Sequence, residues 1–217
     1  ASRWGRAASA PPSGRYHFAP PLSAEGTLPS PSLVPGAFRI AFDAAESATA
    51  VVFSAPLTEE ENGKEQQARL EAAYRSTDYS PLNAVYFESF YGQNASCNPL
   101  ALDRALADAR PDIPRYWGVR DASVAVPEGA IALIEGSEEW WRIRGSARLI
   151  VINDWLRNRY RKRRHQRVLQ TWHGTMLKKL ALTRSGLRLR PALATLRERS
   201  RWNILLSQNS YATRIFG

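Results

Sequence analysis

The chain has 217 residues, of which 44% are hydrophobic, and this length is sufficient for one globular domain with an appendage. No apolar run reaches the roughly 18 residues of a membrane-spanning helix, and no charged-then-apolar signal segment opens the sequence, so we expect an intracellular protein. A single cysteine, Cys97, excludes an internal disulfide and a cysteine-based zinc cluster, and with only three scattered histidines we expect neither a metal nor a cofactor.

The net charge of +10 is concentrated in the C-terminal third of the sequence. Residues 1–137 carry 11 basic and 16 acidic side chains, whereas residues 138–217 carry 19 basic and 4 acidic ones. Such a positive field attracts phosphate-rich partners, which include nucleic acids, anionic lipid head groups, phosphate polymers and nucleotides. Charge alone does not choose among these partners.

The first 75 residues differ in composition from the rest. Seven of the 14 prolines lie in the first 35 residues, which predicts an irregular leader over residues 1–36. Residues 37–75 are predicted to form a small β appendage, with strands over 38–42 and 50–53, and an exposed linking helix over 59–74.

From residue 84 onward, short apolar runs alternate with helical stretches, which predicts βα units and a parallel sheet. The predicted strands cover 84–87, 116–119, 130–134, 148–152, 168–170 and 203–206. The predicted helices cover 98–109, capped by Asn98, then a segment capped by Ser137, residues 174–182 and a segment capped by Asn209, while Asp154 is interpreted as the cap of a further helix rather than as an acid. The fold class is therefore α/β, with a Rossmann-like parallel-sheet domain over 76–217 preceded by the small β appendage.

The segment QTWHGTMLKK lies where a predicted strand ends and a helix begins, at the edge where open α/β sheets bind ligands. His173 in this segment can change protonation near neutral pH and act as a general base. Gly174 allows close approach of the backbone, Thr175 and the helix amides can hold a phosphate oxygen, and Lys178 and Lys179 add positive charge. The alternative is a half-buried histidine that is hydrogen-bonded in a tight turn, and spacing alone does not decide between the two.

This segment resembles the TWHGTPLK signature of the CDP-glycerol glycerophosphotransferase family, whose members build the poly(glycerol phosphate) or related chains of wall teichoic acid. Met176 stands where that family usually has proline. Further matches occur in the family's order: Phe87-Glu88-Ser89-Phe90-Tyr91-Gly92 followed by Asn98-Pro99, Val126-Pro127-Glu128-Gly129, residues 136–141, residues 147–153 and residues 207–213. The resemblance covers about residues 83–217.

The resemblance implies a two-domain GT-B enzyme, in which a Rossmann-like N-terminal half meets the acceptor and a C-terminal half holds most of the CDP-linked donor. The matched motifs belong to the first half. We therefore expect the donor-binding half to be absent from this sequence, and the 217 residues alone to be inactive.

The implied activity transfers glycerol phosphate, or a related polyol phosphate, from CDP-glycerol or a similar CDP-polyol to the hydroxyl end of a teichoic acid chain, releasing CMP. His173 is the implied general base, and the acceptor is a poly(polyol phosphate) or a lipid-linked primer. The implied location is peripheral, at the cytoplasmic face of the cell membrane. The motifs do not separate glycerol from ribitol donors, or primer addition from polymerisation.

Glu88 is a second candidate at the same edge of the predicted sheet. It directly follows the first predicted parallel strand, so its carboxylate could face the same cleft as His173 and contact substrate. The alternative is a structural or solvated glutamate.

Two basic regions allow a different function. Seven of the eleven residues in 157–167, here called the basic segment, are Arg or Lys and are expected to be solvated. Arginines and leucines alternate over 184–201, which predicts an amphipathic basic helix pair whose leucines either pack on the sheet or meet a membrane interface. The alternative function is thus a non-catalytic module that docks on anionic membrane or phosphate polymer; nucleic acid is disfavoured because no helix-turn-helix, zinc finger or RNP signature is present.

Overall fold

The computed structural model describes residues 12–18, 32–34, 37–45, 48–157, 159–173, 189–207 and 209–216. These residues form a small antiparallel sheet and a larger parallel sheet. The predicted helix over 174–182 lies outside the described residues.

The small sheet has four antiparallel strands in the order β1-β4-β3-β2. They are β1 (Gly14–Phe18), β2 (Ser32–Val34), β3 (Phe38–Ala45) and β4 (Ala48–Ser54). Strands β3 and β4 confirm the two predicted strands, whereas β1 and β2 lie in the segment predicted to be irregular. Prolines flank both β1 and β2, and a proline-rich composition is typical of irregular segments, so the sequence did not predict these two strands. Phe53 of β4 makes edge-to-face contacts with Tyr16 of β1, at 5.3 Å between ring centroids, and with Phe38 of β3, at 5.4 Å. These contacts join strands whose residues lie far apart in the sequence.

Helix α1 (Lys64–Ser76) begins five residues later than the helix predicted from residue 59. The preceding residues form a turn instead, because the Glu61 carboxylate accepts from the backbone amides of Thr58 at 3.0 Å and Glu138 at 2.8 Å. The helix is not wholly exposed, since Tyr74 is completely buried. It therefore packs on the following domain as well as linking to it.

The larger sheet has six parallel strands in the order β10-β9-β8-β5-β6-β7. Its strands are β5 (Leu82–Glu88), β6 (Arg115–Val119), β7 (Ile131–Ile134), β8 (Ala147–Ile152), β9 (Arg167–Gln170) and β10 (Ile204–Leu205), and they confirm all six predicted strands. The helices are α2 (Cys97–Ala109), α3 (Glu138–Ser146), α4 (Leu189–Arg199) and α5 (Ser210–Phe216). Counted from β5, the order reads 3-2-1-4-5-6, which is the Rossmann arrangement.

Helices cover both faces of the parallel sheet. On one face, Tyr74 of α1 and Trp140 and Trp141 of α3 pack in a single buried cluster with β5 and β8. On the other face, Phe87 stacks on Trp117 with ring centroids 5.3 Å apart, and leucines of α2 cover them. Burial of both faces explains why these strands read as continuous apolar runs in the sequence.

The capping predictions differ in outcome. The Ser137 hydroxyl accepts from the Trp140 amide at 3.1 Å and the Asn209 side chain accepts from the Ala212 amide at 2.8 Å, which confirms both caps. No helix follows Asp154 among the described residues up to β9, so that prediction is wrong. Asn98 does not cap α2 either, because the helix begins at Cys97.

A buried ion pair joins α2 to β6. Asp103 is completely buried and accepts from Arg115 Nη1 at 2.7 Å and from Trp117 Nε1 at 3.1 Å. The guanidinium of Arg115 also donates to the carbonyl of Glu128 at 2.9 Å. These bonds satisfy both carboxylate oxygens in the interior, where an unpaired charge is costly.

Candidate active site

The strand order places a crevice between the carboxyl ends of β5 and β8, where the direction of winding reverses. Ligands of open α/β sheets bind at this switch point. Glu88 at the end of β5 is in register with Ile152 of β8, and Ile152 is in register with Gln170 of β9. The residues that follow these three positions therefore meet at one edge.

Asn153 ties the two sides of the switch point together. Its side chain is completely buried, and its Oδ1 accepts from the backbone amide of Phe90 at 3.0 Å. Phe90 and Tyr91 both lie in the left-handed region, with φ of 48° and 54°, and Trp172 has φ of 54°. Left-handed non-glycine residues are strained and concentrate at functional sites, which here marks the turns after β5 and β9.

His173 lies at this switch point, two residues after the buried Thr171 that follows β9. Its Nδ1 is 2.8 Å from the backbone carbonyl oxygen of Asn153, and its ring lies 5.1 Å from Phe90 and 6.0 Å from Trp172. A carbonyl oxygen only accepts, so Nδ1 carries the proton and the neutral ring presents an unprotonated Nε2. The side chain is 40% exposed, which leaves it accessible to a substrate.

Asn98 holds the backbone that precedes His173. Its Nδ2 donates to the carbonyl oxygens of Thr171 at 3.2 Å and Trp172 at 3.3 Å. The first turn of α2 is thereby joined to the strained turn after β9. Asn98 was predicted as a helix cap, and the structure gives it this bridging contact instead.

Asp154 is a site residue that the sequence did not predict. Its Oδ1 is 3.9 Å from His173 Nδ1, and its side chain is only 15% exposed. Burial raises the pKa of this carboxyl above its ordinary value, the charge of His173 acts to lower it, and the charge of Glu88 raises it further. The sequence signal was an acid directly after a buried strand, but the same pattern is typical of a helix cap.

Replacing Asp154 with asparagine is expected to stabilise the folded chain at pH 7. Because the carboxyl has a higher pKa when folded than when unfolded, the folded state binds the extra proton and stability falls as the pH rises through that interval. The stabilisation should therefore be complete above the raised pKa and disappear as the pH falls below the ordinary carboxyl value. Urea unfolding of parent and variant at pH 7 and at about pH 3 measures this, and a variant that is less stable at pH 7 would contradict it.

Glu88 lies at the same edge as His173, as predicted. It is 8% exposed, and its Oε2 accepts a 2.6 Å hydrogen bond from the Tyr86 hydroxyl. The charge of Glu88 raises the pKa of the Asp154 carboxyl, and the charge of His173 lowers it. Both predicted residues therefore lie within electrostatic range of Asp154. The four other predicted substrate-binding residues, Gly174, Thr175, Lys178 and Lys179, lie outside the described residues, as does Met176.

The basic segment is only partly solvated, because some of its arginines pack against the rest of the protein. This corrects the prediction of a solvated segment. The Arg163 guanidinium lies 4.7 Å from the Tyr74 ring centre and donates to the Tyr74 carbonyl. Arg159 lies 4.9 Å from the Trp141 ring centre and 3.2 Å from Glu71 Oε2. An arginine can stack on an aromatic ring and keep its charge. The rings here belong to Tyr74 and Trp141, which are distant in sequence from the basic segment, so its composition alone did not reveal these contacts.

Arg157 extends the same pattern toward the switch point. Its Nη1 is 2.7 Å from Glu135 Oε1, and its guanidinium lies 4.6 Å from the ring centre of Tyr91. Leu193 and Leu196 of α4, in contrast, are 64% and 48% exposed, so these two do not pack on the sheet.

The described residues contain neither a membrane-spanning helix nor a metal-binding cluster. No described helix combines the length and the apolar content required to cross a bilayer. In the same part of the chain, no group of three or more His, Cys, Asp and Glu side chains is arranged to hold a metal ion.

The fold and the site together define a Rossmann-type α/β domain with an accessible histidine at its switch point. A family model described as CDP-glycerol:poly(glycerophosphate) glycerophosphotransferase matches residues 72–217. This match covers more than half of the sequence and includes every element of the parallel sheet. The chain belongs to this family.

Curated relatives show the same likeness at the sequence level. The teichoic acid poly(glycerol phosphate) polymerase of Bacillus subtilis is 36% identical over 141 residues, which is 61% of this chain and 19% of that protein. The teichoic acid glycerol-phosphate transferase of Staphylococcus aureus is 34% identical over 149 residues, which is 62% of this chain and 36% of that protein. The chain therefore spans about a fifth to a third of these relatives.

Solved structures of the wall teichoic acid polymerase TagF resemble the fold. A histidine variant of TagF matches with a TM-score of 0.66 and 28% identity, over 70% of this chain and 39% of that one. The same variant soaked with CDP-glycerol matches with the same TM-score and identity. The likeness confirms the predicted α/β fold with a parallel sheet of the GT-B type.

Proposed function

We propose that this chain is the acceptor-side half of an enzyme that transfers glycerol phosphate, or a related polyol phosphate, from a CDP-linked donor to the hydroxyl end of a teichoic acid chain. Family membership supports the reaction class, and the names of the relatives support glycerol phosphate as the group transferred. Residues 76–217 supply the Rossmann-like half in this proposal, and a separate donor-binding half holds the nucleotide.

The orientation of the His173 ring carries the proposal. With Nδ1–H bound to the Asn153 carbonyl, Nε2 is the basic atom, and the exposed part of the ring allows an acceptor hydroxyl to reach it. Nε2 takes the hydroxyl proton while the hydroxyl oxygen forms a bond to the β-phosphorus of the donor. The bond from that phosphorus to the bridging oxygen breaks, and CMP leaves with the electron pair.

The environment of His173 suits the charge that this step creates. Proton uptake makes the ring an imidazolium, which remains bound to the Asn153 carbonyl and faces the Asp154 carboxylate at 3.9 Å. The two opposite charges attract each other at this distance. Gly174, Thr175, Lys178 and Lys179 are proposed to hold the donor phosphates, as the resemblance implies, since phosphoryl transfer depends mainly on positioning and charge neutralisation.

The contacts of the basic segment give no preference to the alternative of a non-catalytic docking module. Its arginines at 157, 159 and 163 are engaged with aromatic rings and carboxylates of the same chain. We propose instead that the protein acts at the cytoplasmic face of the membrane as a peripheral enzyme. The exposed leucines and arginines of α4 support a contact with anionic lipid.

The proposal is tested by CMP release from the full-length gene product. Release should require both CDP-glycerol and a soluble glycerol phosphate oligomer, and it should exceed release with either one alone. CDP-ribitol in place of CDP-glycerol distinguishes the two donors. An absence of acceptor-dependent release with both donors would contradict the proposed function.

A further inference from the structure

A buried chain of hydrogen bonds ends on the Glu88 carboxylate. Trp140 Nε1 donates to the Tyr86 hydroxyl at 2.9 Å, and that hydroxyl donates to Glu88 Oε2 at 2.6 Å. Tyr86 is completely buried and Trp140 is 2% exposed. A tyrosine hydroxyl has one proton to donate, and the indole occupies its acceptor side, so the proton is directed at Glu88.

The packing around Tyr86 fixes the direction of this hydroxyl. It lies over Gly118 of the neighbouring strand β6, and a Cβ at that position would overlap it. Burial raises the pKa of Tyr86 well above its ordinary value, with the charge of Glu88 acting in the same sense, so the hydroxyl stays neutral and keeps its proton. Tyr86 is thus a fixed donor rather than a titrating group.

The buried guanidinium of Arg144 stacks on Trp140, the first donor of this hydrogen-bond chain. Arg144 is 2% exposed, its guanidinium lies 4.5 Å from the Trp140 ring centre, and its Nη2 donates to the Leu156 carbonyl at 2.9 Å. The negative charge of Glu88 favours the protonated form of this guanidinium, so the two buried groups attract each other. Among the described residues, no side chain donates to Glu88 Oε1, and on that part of the chain this oxygen has capacity to accept a further hydrogen bond.

We propose that Glu88 Oε1 accepts a hydrogen bond from a second hydroxyl of the acceptor polyol, beside the hydroxyl that His173 deprotonates, and that Tyr86 is the positioning residue for this carboxylate. The proposal rests on the proposed function. A carboxylate accepts from hydroxyls and repels phosphate oxygens, so its partner at this edge is the polyol part of the acceptor and not its phosphate. Because of this contact, the enzyme should prefer an acceptor whose terminal unit carries a second hydroxyl over one that lacks it.

The test measures acceptor kinetics of the full-length protein for the parent, Glu88→Gln and Tyr86→Phe. Two soluble acceptors are compared, a glycerol phosphate oligomer and the same oligomer ending in propane-1,3-diol phosphate, which lacks the secondary hydroxyl. With the parent, loss of that hydroxyl should raise the acceptor KM on the order of 10-fold to 100-fold, as expected for a hydrogen bond to a charged group. In Glu88→Gln this difference should shrink to about threefold or less, because a neutral amide binds a hydroxyl more weakly.

Tyr86→Phe should lie between the parent and Glu88→Gln, with the KM for CDP-glycerol unchanged in both variants. Tyr160→Phe is the matched control, since it removes another buried hydroxyl that bonds to Gln166 at 2.9 Å. It should keep the full discrimination of the parent.

Two outcomes overturn the inference while the proposed function stands. One is a parent that transfers glycerol phosphate equally well to both acceptors. The other is a folded Glu88→Gln variant that keeps the parent's discrimination. A parent that transfers to neither acceptor contradicts the proposed function instead, so the two failures are distinguishable.

Discussion

Replacing His173 with alanine in the full-length protein is expected to lower acceptor-dependent CMP release about 100-fold to 10,000-fold, the usual contribution of a general base. The variant removes Nε2, the only basic atom of a ring whose other nitrogen is bound to the Asn153 carbonyl. Binding of CDP-glycerol should change little, because the proposed role of His173 is on the acceptor. Steady-state release of CMP and equilibrium binding of the donor measure the two effects.

His165→Ala is the matched control for this variant. His165 is half-buried, and its Nε2 lies 3.2 Å from the Gly145 carbonyl oxygen, so it is another histidine held by a backbone carbonyl, in the basic segment. The variant should retain activity within about threefold of the parent, because His165 lies away from the crevice and a substitution there should change the turnover little. Full turnover by a folded His173→Ala protein would remove the histidine from the chemistry.

Replacing Asp103 with alanine is expected to lower the free energy of unfolding by about 3 to 5 kcal/mol. The change leaves the nearly buried Arg115 guanidinium without its carboxylate and the buried Trp117 indole without an acceptor. Because Asp103 joins α2 to β6, the loss should loosen the face of the sheet that carries Phe87. Urea unfolding of the 217-residue chain, followed by circular dichroism, measures the difference.

The exposed pair of Arg110 with Asp112 provides the comparison. It has the same 2.7 Å distance, but both side chains are more than half exposed. Asp112→Ala should therefore leave the unfolding midpoint unchanged, because water screens the pair and solvates either partner alone. Equal destabilisation by both variants would show that burial of Asp103 is not the cause.

The parallel sheet could be predicted from the sequence because its central strands are largely buried and its strands alternate with helical stretches. The central strands β5 and β8 contain short apolar runs, and the cap at Ser137 is confirmed by a local hydrogen bond. The position of His173 at the carboxyl edge could be predicted because it follows such a strand within a recognisable motif, and its catalytic role remains a prediction.

The proximity of Asp154 to His173 could not be predicted in the same way. An acid that follows a strand indicates a helix cap as readily as a partner for a histidine, and its proximity to His173 comes from the pairing of β8 with β9. The basic segment shows the same limit. Its composition indicates solvation, but the rings of Tyr74 and Trp141 that hold Arg163 and Arg159 come from α1 and α3.

The partner of the His173 ring is a main-chain oxygen, and this has an evolutionary consequence. No substitution at position 153 removes a carbonyl, so the tautomer that leaves Nε2 basic is protected from mutation at that position. The side chain of Asn153, in contrast, holds the Phe90 turn through an amide oxygen that a mutation can delete. Variation can therefore remodel the Phe90 turn of the crevice across descendants of this chain while the orientation of the His173 ring is inherited with the backbone.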